Sequence, residues 1–132
     1  MDEKIKQFFT SKAFAVLGAS SRRHKYGNKV LRCYLQHHLK VYPINPVENE
    51  IEGLAVRRKI ADLPADVTSI SIITPPAVTE KLVLEAIAHG IRNIWMQPGA
   101  ESQAAITSCE QNGINVIAGG PCILVELGFK DE

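Results

Sequence analysis

The sequence predicts a doubly wound α/β fold, a mostly parallel sheet with helices on both faces. Three observations lead there. Short apolar runs alternate with helix-like runs, as in a parallel sheet covered on both sides. The connections between them are short, which favours right-handed crossovers and an open sheet. The chain has 132 residues with 45% hydrophobic and 22% charged residues, enough for one domain with a real core.

The elements follow in order. Residues 2–11 read as a leading helix with Ile5, Phe8 and Phe9 on one face. Residues 13–17 (AFAVL) are a buried strand ending at Gly18. A helix over 28–38 turns Val30, Leu31, Tyr34 and Leu35 inward at helical spacing. The second strand is 40–44 (KVYPI), with Pro43 expected near its end. Asn45-Pro46 breaks the chain, a short edge strand is expected over 53–56, and a turn or short helix over 59–63. Residues 68–74 (TSISIIT) are the clearest strand, β-branched and apolar, and Pro75-Pro76 ends it. The helix over 78–89 points Leu82, Val83, Ala86 and Ile87 inward and closes at Gly90. A strand at 92–96, a helix at 102–112, a strand at 115–118 and a short helix at 123–127 complete one domain over 1–132. The expected strand order is 3-2-1-4-5-6, a Rossmann-type sheet with a short third strand.

Composition narrows the function. The net charge is +1, so no global excess points to nucleic acid or a membrane surface, and any anion site must be local. Cys33, Cys109 and Cys122 are odd in number and form no CxxC pair, which argues against a disulfide framework and a zinc site. His37-His38 are adjacent on a helix and point different ways, so no metal is expected. Residues 1–10 lack the apolar stretch of a secretory signal, and no run reaches the ~18 residues of a membrane span. A cytoplasmic setting is the expectation.

In such sheets a ligand binds outside the carboxyl ends of the strands. Those positions are Gly18-Ala19-Ser20-Ser21, Asn45-Pro46, Thr74-Pro75-Pro76, Gln97-Pro98-Gly99 and Gly119-Gly120-Pro121-Cys122. Loops contain such residues in any case, but here all five ends do. Gly18 allows a tight turn and close approach of a phosphate, and the next helix points its N–H groups at the same place. Arg22, Arg23, His24 and Lys25 follow as the densest basic cluster at any strand end, a counter-charge for several phosphates or a solvated loop. The GxGxxG fingerprint is absent. Asn45, not an acid, ends the second strand, which disfavours NAD and fits NADP or coenzyme A.

The segments AVLGAS, VYPINPVENEIEGL, ADLP, IITPP, IWMQPGAES and VIAGGPCILV, in that order, resemble the stand-alone coenzyme A-binding proteins. These are similar in turn to the coenzyme A-binding domain of the succinyl-CoA synthetase α subunit. The likeness runs from about Lys12 to Gly128. It implies that Gly18, Ala19, Ser20 and Ser21 face the pyrophosphate and that Asn45 and Pro46 border the adenosine end. Thr74, Pro75 and Pro76 would flank the nucleotide or the start of the pantetheine arm, and Gln97, Pro98 and Gly99 would line the arm's path. The phosphate role of Arg22, Arg23 and Lys25 rests on their charge, not on the family.

The synthetases carry a second domain with a phosphorylated histidine. The chain ends at Glu132, and none of His24, His37, His38 and His89 matches that context, so ligase activity is not carried over. The expected function is coenzyme A or acyl-CoA binding without catalysis, with no catalytic residue assigned. Two alternatives stay open. One is an NADP-dependent oxidoreductase-like cofactor domain, because IITPP with the helix ending at Gly90 also resembles the glucose–fructose oxidoreductase type. The other is an acyl-CoA-sensing regulatory subunit with an unidentified protein partner. Cys122 is expected near the thiol end of the ligand, more often an idle thiol than a reactive one. Trp95 is expected in the core or at a subunit contact.

Overall fold

The computed structural model describes residues 2–131. Five parallel strands form the main sheet: β1 (Ala13–Leu17), β2 (Val41–Ile44), β5 (Val67–Ile72), β6 (Asn93–Met96) and β7 (Asn115–Ile117), in the order β2-β1-β5-β6-β7. The helices are α1 (Glu3–Phe8), α2 (Tyr26–Gln36), α3 (Pro76–His89), α4 (Gln103–Gln111) and α5 (Ile123–Glu126), with a short 3₁₀ turn at Ile60–Asp62. The doubly wound α/β class is as the alternation predicts. The strand order reverses between β1 and β5, and that is where a crevice opens in such sheets.

The expected order 3-2-1-4-5-6 needs correction at its first place. The third strand does not extend the sheet. Instead β3 (Glu50–Ile51) and β4 (Leu54–Ala55) pair antiparallel with each other. Glu52 and Gly53 both take positive φ (50° and 79°), as a two-residue hairpin turn of the primed kind requires. The chain then touches β2 through one parallel bridge, Ile44 to Arg57. Arg57 N donates to Pro43 O (3.0 Å) and Asn45 N donates to Arg57 O (3.1 Å). N–H and C=O of one strand residue point to the same side. Pro43 therefore offers no donor along this outer edge, and its missing N–H costs nothing toward β1.

Alternation along the strands builds two cores. Ala13, Ala15 and Leu17 of β1 face one layer with Ile70, Ile72, Ile94 and Met96, covered by Val83 and Ala86 of α3 and by Ala105 and Cys109 of α4. Phe14, Val16 and Trp95 face the other, covered by Phe8, Val30, Leu31, Tyr34 and Ile123. Trp95 is fully buried, a core residue, with Phe8 edge-on at 5.3 Å. Ser69 and Ser71 point into this second layer and are satisfied there. Ser69 Oγ donates to Phe8 O (2.6 Å), and Ser71 Oγ shares a hydrogen bond with Tyr34 Oη (2.6 Å).

Several boundaries move by local causes. The second helix starts at Tyr26, not 28, and ends at Gln36 because His38 takes a left-handed φ of 57°. The third starts at Pro76, where a missing N–H is harmless and φ is already helical. The leading helix is shorter than expected and is capped by Asp2, whose carboxylate accepts from Lys4 N (2.6 Å).

Two glycines place α2 against the sheet. A Cβ on Gly27 would stand 2.0 Å from Gly18 O, and one on Gly18 (φ 95°) would stand 2.6 Å from Ile73 O. Gly27→Ala should therefore cost about 3 kcal/mol in urea unfolding, the upper end for overpacking, because backbone must move. Gly53→Ala, strained in φ but facing open space, should cost only ~1 kcal/mol. For the buried hydroxyl pair, Tyr34→Phe should cost about 1–2 kcal/mol by leaving Ser71 without its partner. Tyr34→Phe with Ser71→Ala should cost less than the sum of the two single changes, as a double-mutant cycle reads it.

Candidate functional site

A groove crosses the carboxyl ends of β1, β2, β5 and β6. One part, about 370 Å³, is lined by Gly18, Ala19, Ser20, Lys25, Tyr26, Gly27, Asn45 and Ile73. The adjoining part, about 290 Å³, is lined by Ile73, Thr74, Pro75, Pro98, Gly99 and Ala100. Ile73 is common to both. A larger hollow of about 530 Å³ lies at the opposite end of the sheet, around Arg92 and Gly113, away from every predicted position.

The groove gathers nine of the predicted residues: Gly18, Ala19, Ser20, Lys25, Asn45, Thr74, Pro75, Pro98 and Gly99. Ser21, Arg22 and Pro46 are exposed in the adjoining loops, and Pro76 opens α3. Arg23 does not line the groove. It turns toward the β3–β4 hairpin, with Nη1 2.8 Å from Glu52 Oε1. Gln97 lies beneath the surface with no exposure.

Helix ends favour an anion here. α1 and α4 are capped by side chains of Asp2 and Ser102. α2 and α3, which open beside the groove, carry no side-chain cap and no acid in their first turns. Their leading N–H groups and positive dipole ends are thus left to solvent or a ligand.

Carboxylates do reach this end of the sheet: Glu101 Oε1 accepts from Gly99 N (2.7 Å), and Glu48 comes to the first loop. Asn45 Oδ1 accepts from Val47 N (2.8 Å) and Glu48 N (2.9 Å), and its Nδ2 donates to Ala19 O (2.9 Å). This turn brings Glu48 back over the first loop, where Oε2 accepts from Ser21 N at 3.0 Å. Hydrogen bonding from Ser21 holds the Glu48 carboxyl below its ordinary range, with the Arg22 charge adding to it. Asn45, not an acid, does follow the end of β2, as expected. The acid Glu48 comes three residues later and faces the β1–α2 loop.

Under the groove, Tyr26 Oη donates to Gln97 Oε1 (3.1 Å) and meets Cys122 Sγ at 2.7 Å. Ile123 N also donates to Gln97 Oε1 (3.0 Å), which fixes the amide's orientation. Burial and the contact with Cys122 push the Tyr26 hydroxyl far above its ordinary pKa, so it stays neutral. Cys122 is half-buried in this cluster. Burial raises the thiols of Cys33 and Cys109 to about 11. Among the described residues no group of three or more His, Cys, Asp or Glu could hold a metal ion, and no helix is long and apolar enough to cross a membrane.

Sequence reasoning missed Tyr26, Gly27, Ile73 and Ala100 as groove residues, and Glu48 over the first loop. Gly27 had a signal, a glycine at the start of a helical period right after the loop. Glu48 had none, because its place depends on the Asn45 turn.

Comparisons with known proteins place the chain. Residues 12–128 match the CoA binding domain family. An ADP-forming acetate–CoA ligase of Methanocaldococcus jannaschii is 29% identical over 91 residues, 69% of this chain but only 13% of the ligase. The chain thus spans a small part of the curated relatives it matches. A conserved hypothetical protein of Pyrococcus furiosus superposes with a TM-score of 0.82 at 39% identity, covering 87% of this chain and 98% of that one. The dinucleotide-forming acetyl-coenzyme A synthetase 1 of Ca. Korarchaeum cryptofilum gives 0.72 at 27% identity, over 81% of this chain and 25% of that one. With the match covering nearly its whole length, this chain belongs to the CoA binding domain family.

Proposed function

We propose that the chain binds coenzyme A, free or as an acyl thioester, in the groove at the carboxyl ends of β1, β2, β5 and β6, and does no chemistry on it. The observation that carries this reading is the pair of uncapped helix ends, α2 and α3, opening on a groove whose first loop is tightened by Gly18. The pyrophosphate takes the N–H groups of Ala19, Ser20 and Ser21 and the start of α2. Arg22 and Lys25, both exposed at the mouth, supply counter-charge, and Arg23 is a lesser part because Glu52 engages it. Asn45 and Pro46 border the adenosine. The charges of Arg22 and Lys25 draw the ribose 3′-phosphate to their side of the groove. Thr74, Pro75, Pro98 and Gly99 pass the pantetheine arm, with Gln97 and Pro76 behind them.

Binding without chemistry is supported by where the reactive groups stand. His37 and His38 sit at the far end of α2, and His89 ends α3 with Nε2 3.2 Å from Leu63 O. Tyr26 is held neutral and hydrogen-bonded.

Isothermal titration of the purified chain with coenzyme A should give saturable one-site binding. Lys25→Glu and Arg22→Glu should each weaken it about tenfold at low salt, with the difference shrinking as salt is added. Both changes should cost less against 3′-dephospho-coenzyme A. No heat and no thermal shift at millimolar coenzyme A would overturn the reading, and tighter binding of NADP would favour the oxidoreductase alternative.

A further inference from the structure

Beneath the β1–α2 loop lies a buried polar network that ligand contact does not explain. Arg32, in the middle of α2, is 6% exposed. Among the described residues its guanidinium donates from Nε to Asn28 Oδ1 (2.6 Å), from Nη2 to Arg23 O (2.8 Å) and from Nη1 to Asp131 Oδ1 (2.9 Å). Asn28, fully buried, donates through Nδ2 to Ser20 O (2.8 Å) and Glu52 Oε2 (3.1 Å). One linked pair of side chains therefore holds carbonyls at both ends of Ser20–Arg23.

The peptide plane converts that grip into aim. In a trans peptide the C=O of one residue and the N–H of the next point in opposite directions. Pulling Ser20 O inward to Asn28 turns the Ser21 N–H outward, to the side where Glu48 accepts it. That N–H is a donor the proposed site offers to phosphate.

The other end of the network is the C-terminal segment. Asp131 pairs with Arg32 and also with Lys29 Nζ (3.7 Å). Gln36 exchanges two hydrogen bonds with the Lys130 backbone, and the Phe129 ring lies 5.2 Å from the Arg32 guanidinium carbon. A buried guanidinium needs a carboxylate to stay in place, and Asp131 supplies one. The pairing holds the Asp131 carboxyl below its ordinary range.

We infer that Arg32 is a positioning residue through which the segment Gly128–Asp131 sets the aim of the Ser21 N–H, so that attachment of this segment and anion binding at the loop are coupled. The ligand half of this inference rests on the coenzyme A reading; the loop half does not. Coupling of this kind is reciprocal and usually worth several-fold in affinity.

Amide hydrogen exchange on the full chain without ligand tests the loop half. Asp131→Asn, at an exposed side chain, and Arg32→Lys, which keeps charge but loses the planar fork, should each speed exchange at Ser21, Arg22 and Lys25 by roughly tenfold. Sheet amides of Ile70 and Ile94 should not change, and Asp131→Glu should stay within about twofold of the parent. Unchanged loop exchange, an equal rise in the sheet, or a Glu variant as fast as Asn would each overturn the inference. Titration with coenzyme A should then show Asp131→Asn weaker by about fivefold, and equal affinity despite a loosened loop would overturn the coupling. The exchange arm contains no coenzyme A, so it decides the loop claim whether or not the parent chain binds it.

Discussion

The contact between Gly18 and Gly27 governs the rest of the structure. The Gly18 carbonyl oxygen lies 2.0 Å from where a Cβ on residue 27 would be, and the Ile73 carbonyl oxygen 2.6 Å from where a Cβ on residue 18 would be. Three backbones meet there: the end of β1, the start of α2 and the end of β5. Their close approach lets α2 lie flat enough for Val30, Leu31 and Tyr34 to enter the second core layer. It also brings the uncapped start of α2 to the crevice where strand order reverses. Packing and site geometry thus share one constraint, and a side chain at either glycine would disturb both.

How much of this was legible depends on the range of the cause. Strands and helices were readable because alternation and helical spacing are local, and the core residues Val30, Leu31, Tyr34, Val83 and Ala86 followed from them. The strand ends were readable as a set because topology alone puts them at one edge. The β3–β4 hairpin was not foreseen, although Glu52-Gly53 is a turn pair, because the reading assumed an edge strand for β2. Pro43 on that edge argued against one. Asn28 and Arg32 look like surface residues of an amphipathic helix. Both are buried because their partners come from Ser20, Arg23 and Asp131, distant in the chain or outside the helix. Glu48 was illegible for the same reason.

The acids near the loop change how a chain of net charge +1 could hold a ligand with several phosphates. Glu52 engages Arg23, and Glu48 engages the Ser21 N–H. Part of the loop's positive character is already answered within the chain. A phosphate arriving at Ser21 exchanges one anion for another, so the gain there is smaller than a count of basic residues suggests. What then favours the ligand is preorganisation. The loop's carbonyls are tied down before binding, and little ordering cost is left to meet at the moment of contact. The same arrangement keeps the empty loop from carrying an unanswered donor, which stabilises the unliganded chain. In the proposed site, affinity and stability would be set by the same few hydrogen bonds, and a strengthened Glu48 contact would raise stability at the expense of affinity.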